Sequence, residues 1–154
     1  MKTLCIYIQK LLDYPPELIV IGRMNFERSN LKGEYIVVDE TEIVIKGQTL
    51  NYDHKTDTEF YTVYKSSRCV ISFYGDNAKD TLIRFAALQK SQKSNDLQSE
   101  LNTAIYRCHN PRHLKTQDGT QWNELWQVNI VCDYSAGSSE TAESIETLEI
   151  NIYD

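Results

Sequence analysis

Between Phe60 and Leu88 the chain reads FYTVYKSSRCVISFYGDNAKDTLIRFAAL, and across one glycine its apolar period changes from that of a strand to that of a helix. Val63, Cys69, Ile71 and Phe73 fall on one side of the strand, and Tyr64, Arg68, Val70, Ser72 and Tyr74 on the other. An apolar face of this kind sets the register firmly, because a slip of one residue would turn it to water. Gly75 supplies unusual dihedrals, and Asp76 and Asn77 are N-cap candidates. Behind them Ala78, Leu82, Phe85 and Ala86 recur at helical spacing, with Ile83 and Leu88 widening the stripe. A strand that folds back into its own covering helix is a scaffold unit, and nothing in it carries chemistry.

The remaining segments arrange themselves around that unit. Residues 2–13 predict a helix with Leu4, Ile8, Leu11 and Leu12 inside, stopped by Tyr14-Pro15-Pro16. Its start, MKTLCIYIQKLLD, reads as an amphipathic helix rather than a signal peptide, since Gln9 and Lys10 interrupt the apolar run. Leu18 to Ile21 predicts a strand buried on both faces, and Arg23 to Lys32 an irregular segment. Tyr35–Val38 and Ile43–Lys46 predict two short strands joined by a hairpin loop at Asp39–Glu42. Gln48 to Glu59 reads as a polar loop. A second helix is expected after Lys90, with a capping box at Asn95 and Gln98 and an inner face of Leu97, Leu101 and Ala104. His109 to Gln121 reads as a loop or protruding hairpin. Trp126, Val128, Ile130, Cys132 and Tyr134 mark a strand, Ser135–Ser139 a turn, and Ile145–Tyr153 a returning strand. Strands followed by helices with hairpin-length links predict an α+β fold, a mainly antiparallel (mixed) sheet with the N-terminal helix and two central helices packed on it.

At 154 residues the chain fits one domain, 1–154, and no run reaches the ~20 apolar residues of a membrane span. Ten tyrosines against four phenylalanines favour strands and interfaces. Cys5, Cys69, Cys108 and Cys132 form no C-x-x-C pair and give no disulfide framework, which suits a reducing compartment. The net charge of −6 comes from the end of the chain. From Asp133 onward there are acidic residues at 133, 140, 143, 146, 149 and 154 and no Lys or Arg, leaving 16 acidic against 16 basic before it. Nucleic-acid binding wants a basic patch, so the charge argues against it.

Signatures of catalysis are sparse. Cys108, His109 and His113 make one partial metal cluster without the second pair of ligands that zinc requires. Asp53, His54 and Asp57 share a polar loop with no nucleophile or oxyanion donor beside them. Phosphate-loop and nucleophile-elbow motifs do not occur. Two features point to association instead. Trp122 and Trp126 have the parity of core positions, with an interface role for one of them as the sharper alternative. Several strands are apolar on both faces: Val70 and Tyr74 oppose Ile71 and Phe73, and Leu125 and Val131 oppose Trp126 and Ile130. Three helices cannot readily cover both faces, and a neighbouring subunit in a closed ring is a common solution.

The unit RCVISFYGDNAKDTLIRFAAL (Arg68–Leu88), the late strand WNELWQVNIVCDYS (Trp122–Ser135) and the returning IETLEINIY resemble the tail terminator (neck terminator) proteins of tailed bacteriophages, in order and spacing over nearly the whole chain. The resemblance implies a structural virion protein without catalytic residues or cofactor. Such a protein forms a ring, typically of six subunits, at the head-proximal end of the tail, where it ends tube polymerisation and receives the head connector. Its implied partners are copies of itself, the tube protein, the connector and, in a contractile tail, the sheath. Its implied place is the virion neck, after assembly in the bacterial host cytoplasm. Tyr52, Asp53, His54, Arg112, His113, Lys115 and Trp122 are the candidate subunit or partner contacts, from the two polar loops and the start of the late strand. Asp133, Glu140, Glu143, Glu146 and Glu149 are candidates for an acidic lumen or a connector-facing surface. A small metal-dependent enzyme built on the Asp53 or Cys108 groups and a generic cytoplasmic protein-binding module are the competing readings.

Overall fold

The computed structural model describes residues 1–22, 33–106, 109–118 and 121–141, with backbone alone at 109–110, 116–118, 121–123 and 138–141. Helix α1 (Lys2–Leu12) turns Leu4, Tyr7, Ile8, Leu11 and Leu12 inward. Asp13 ends it in the left-handed region at φ 52, and the Tyr14 N–H donates to Gln9 O at 3.0 Å. After a single 3₁₀ turn, β1 (Ile19–Ile21) pairs in parallel with Ile36–Val38. It is half-buried rather than buried on both faces, since among the described strands it ends the sheet and has β2 alone beside it.

The next segment departs furthest from the sequence expectation. Instead of two short strands and a loop, residues 35–53 form one 19-residue strand, β2 (Tyr35–Asp53). It runs antiparallel to β3 (Thr58–Tyr74) over its whole length. Register shifts at Glu40/Glu42 and Ile45/Gly47 absorb the residues that break the alternation. At the first shift, Thr41 Oγ1 donates to Arg68 O at 3.0 Å, and Arg68 pairs with Glu42 at 2.9 Å. The loop expected at Gln48–Glu59 shrinks to a turn at residues 54–57.

From β3 the chain enters α2 (Ala78–Leu88) through Gly75, whose φ is 104. A Cβ there would sit 2.7 Å from Glu34 Cγ and 3.1 Å from Gly33 O, so both dihedral and space demand glycine. Gly75→Ala is expected to lower unfolding free energy by roughly 1–3 kcal/mol in a urea titration. Asn77 holds the N-cap position, but its side chain accepts no helix N–H and its amide instead donates to Glu34. Ala78, Leu82 and Phe85 are buried as expected, whereas Ile83 lies on the wet side.

Helix α3 (Gln92–Glu100) is capped at Ser91, four residues before the expected cap. Ser91 Oγ accepts the Ser94 N–H at 3.2 Å. Gln98 ties α3 to the sheet instead: its Oε1 accepts the Ile105 N–H at 2.7 Å, in the three-residue strand β4 (Thr103–Ile105). Ala104, read as an inner helical position, is an exposed residue of that strand. β5 (His109–Asp118) and the start of β6 (Gln121–Thr141) make the protruding hairpin. Residues 135–139 do not turn; β6 stays paired with β3 out to Thr58↔Thr141. The irregular segment 23–32 and the returning strand 145–153 lie outside the described residues.

Among the described residues the sheet runs β1-β2-β3-β6-β4, with β5 also on β6, and only the β1–β2 pair is parallel. The α+β, mainly antiparallel reading therefore holds. Cross-strand rows Ile36–Phe73–Trp126, Val38–Ile71–Val128 and Glu40–Cys69–Ile130 floor the core, and the helices cover them. Phe85 sits between Tyr7 (6.5 Å, edge-on) and Phe73 (5.9 Å). The Tyr7 hydroxyl and Ser94 Oγ are hydrogen-bonded at 2.7 Å within this core. On the opposite face Val37, Ser72 and Leu125 are also buried, beside the stacked rings of Tyr35 and Tyr74.

Candidate assembly surface

Above the last helix-covered row, β2, β3 and β6 continue together as a three-stranded arm. The side of the arm that continues the core face carries Ile43, Ile45, Leu50 and Tyr52, at 52%, 67%, 58% and 42% exposure. Its other side carries Val44, Phe60 and Tyr64, also exposed. The apolar stripe that forms the core beneath the helices thus runs on past them uncovered. Exposed apolar side chains grouped on one face in this way make it a candidate interaction surface.

At the tip, Asp53 accepts the Lys55 N–H at 2.9 Å and Thr56 Oγ1 at 3.1 Å. Tyr52 donates its hydroxyl to Asp57, and the His54 ring meets Tyr52 edge-on at 4.6 Å. Both carboxylates are thus engaged in shaping the turn. Among the described residues no group of three or more His, Cys, Asp or Glu is placed to hold a metal ion. The Cys108 and His109 side chains lie outside the described residues. Burial pushes the Cys69 thiol up to about 12, with Cys132 beside it adding to the effect, and burial raises Cys132 as well. Neither is an activated nucleophile.

The two sets of candidate contacts occupy opposite poles. Tyr52, Asp53 and His54 sit at the arm tip, level with the end of β6, whereas Arg112, His113 and Lys115 lie on β5 beside its beginning. His113 stacks on Trp126 at 4.7 Å and 19°, and its Nε2 is 3.9 Å from Glu124. Lys79 Nζ lies 5.9 Å from the same indole, so Trp126 is partly committed to its own chain. The side chain of Trp122 lies outside the described residues, although its backbone pairs with Gln117.

Asp133 is half-buried where the arm leaves the body. It accepts hydrogen bonds from Lys46 Nζ (2.6 Å) and the Tyr106 hydroxyl (3.0 Å). Burial alone would raise its pKa, but the hydrogen bonds from Lys46, Ser66 and Tyr106 together outweigh it and hold the carboxyl below its ordinary value. A depressed carboxylate stabilises the fold above its unfolded pKa, and that contribution disappears as pH falls through the folded value. The stability gap between wild type and Asp133→Asn should therefore be full near neutrality and close in acid, as denaturant midpoints measured across pH will read. Glu140 is paired through its backbone with Glu59, and Glu143, Glu146 and Glu149 lie outside the described residues.

Sequence reasoning missed most of the arm: Ile43, Ile45, Leu50, Phe60 and Tyr64 were not picked out as a surface. The signal was a two-residue alternation, Leu50 and Tyr52 against Thr49, Asn51 and Asp53, hidden behind Gly47 and a run of polar residues.

No match is found among curated protein sequences. Among solved structures, the chain is similar to the sheath/tube terminator of an extracellular contractile injection system (PVC) in its extended state. The TM-score is 0.46 at 6% identity, over 100% of this chain and 63% of that one, so this chain spans less than two thirds of its length. No described helix is long and apolar enough to cross a membrane. A family model for phage neck terminator proteins matches residues 6–154, and the chain belongs to that family.

Proposed function

We propose that this neck terminator acts as a single-domain structural joint. Its copies form a ring, six in number, at the head-proximal end of the tail, where the ring ends tube polymerisation and receives the head connector. The observation that carries the reading is the uncovered apolar stripe of the arm, Ile43, Ile45, Leu50 and Tyr52, which continues the core face into solvent. A monomer gains nothing from exposing such a stripe, whereas a ring covers it in every copy. The polar sets at the two ends of the sheet suit a part that meets one partner above and another below. The acidic residues Asp133, Glu140, Glu143, Glu146 and Glu149 suit a passage along which DNA slides without sticking. The work is done by burial between subunits and by charged surfaces, with no catalytic step. Imaging of assembled particles tests this reading. A ring of this chain at the head–tail junction is expected, and finding the chain elsewhere in the particle, or as isolated single copies, would overturn it.

A further inference from the structure

We propose that neighbouring copies join edge to edge through the arm, with the outer edge of β6 (residues 135–141) in one copy pairing in parallel with the outer edge of β2 (residues 48–53) in the next. The inference rests on the ring reading and specifies its interface.

β1 covers the outer edge of β2 at Ile36–Val38, where the Gly22 N–H also donates to Val38 O. Beyond that point no described strand lies against β2. On the other side, β4 covers β6 at Ile105↔Cys132 through Thr103↔Tyr134, and no described strand lies beyond. The arm therefore has an open backbone edge on each side, and open edges are templates for pairing.

The two edges belong to different strands. Pairing one with the other is a head-to-tail contact, which repeats from copy to copy and closes into a ring when the rotation allows. Pairing like with like would stop at a dimer. The strand direction follows from the sheet: β2 and β6 are each antiparallel to β3, so they run the same way, and the new pair is parallel.

The side chains fit this arrangement. The β6 edge, Ser135-Ala136-Gly137-Ser138-Ser139, is small throughout, while the β2 edge carries the exposed Leu50 and Tyr52. A bulky strand can lie beside a small one without crowding. The stretch 48–53 is also free of register shifts, the last one falling at Ile45/Gly47. A groove of about 500 Å³ crosses the sheet at the root of the arm, from Lys46 of β2 and Lys65 of β3 over Asp133–Ser135 to Asn102–Ala104 of the β4 segment.

Cysteine pairs test the contact. Gln48 and Ala136 flank Val63 in one row of the arm, two strand spacings or roughly 10 Å apart, too far for a disulfide within one chain. The full chain carrying Gln48→Cys with Ala136→Cys, and a second carrying Gln48→Cys with Ser138→Cys to allow a two-residue offset, are assembled into particles and treated with oxidised glutathione. At least one pair should give a covalent ladder ending at the ring's copy number, while each single variant stops at dimers. Rings without a ladder from either pair would overturn the edge contact and leave the ring reading standing. Absence of any ring at the junction would remove both. The same pairs in a chain ending at Thr141 exclude the remaining occupant. A ladder that forms only after this truncation would mean that residues 142–154 cap the edge in the intact protein, which also overturns the proposal.

Discussion

Replacing Phe85 with alanine should remove about 3–5 kcal/mol of unfolding free energy, on the scale of large-to-small changes at fully buried aromatic positions. Small domains have about 5–15 kcal/mol in all, so the variant should lie near or below the folding threshold. Phe85 comes from α2 and packs between Tyr7 of α1 and Phe73 of β3, so one ring links three elements. Its loss leaves a void beside the ring of Tyr7, whose hydroxyl is held by Ser94 at 2.7 Å. Urea unfolding followed by circular dichroism measures the effect. A loss below about 1 kcal/mol would mean that the helices are not fixed to the sheet through this ring.

The opposite pattern is expected for Ile45→Glu combined with Leu50→Glu on the arm. Both side chains are more than half exposed, so the monomer's stability should change by no more than about 0.5 kcal/mol per site. Assembly should fail. Each carboxylate would be carried into a contact with no partner charge, a penalty of about 2–5 kcal/mol per site, or more than tenfold in affinity. Around a ring the penalty recurs at every contact. Unchanged denaturation midpoints together with missing rings in particle images is the expected pair of results. Normal rings from the double variant would mean that the stripe faces outward in the assembly.

The sequence was legible wherever one side of an element is buried and the other wet. The strand–turn–helix from Arg68 to Leu88 largely obeys that rule, with Ile83 exposed on the helix and Ser72 buried on the far face of the strand as the departures. The same rule hid the arm. With both faces in water, β2 beyond Glu40 has no reason to alternate cleanly, and its two register shifts scramble what alternation remains. Glycine and serine at 135–139 looked like a turn because their composition is that of turns. They remain in β6 because β3 is long enough to pair with them, a fact that resides in residues some seventy positions earlier. Ser91 was passed over as a cap because Asn95 with Gln98 matched a familiar pattern, while Gln98 is used in bonds to Ser94 and Ile105. Of the candidate contacts, Tyr52, Asp53, His54, Arg112, His113 and Lys115 are proposed from loop chemistry alone. The apolar ones needed the strand pairing to place them.

The register shift at Glu40/Glu42 sits where the arm leaves the helix-covered body, and it gives that point a mechanical meaning. From there to Asp53 the strand reaches roughly 40 Å at about 3.3 Å per residue. A lever of that length turns a five-degree swing at its root into a tip displacement of about 3 Å, close to one residue along a strand. Arg68 on Glu42 and Lys46 on Asp133 stand at that root, so in the proposed ring they would bear on the radius at which the tips could meet.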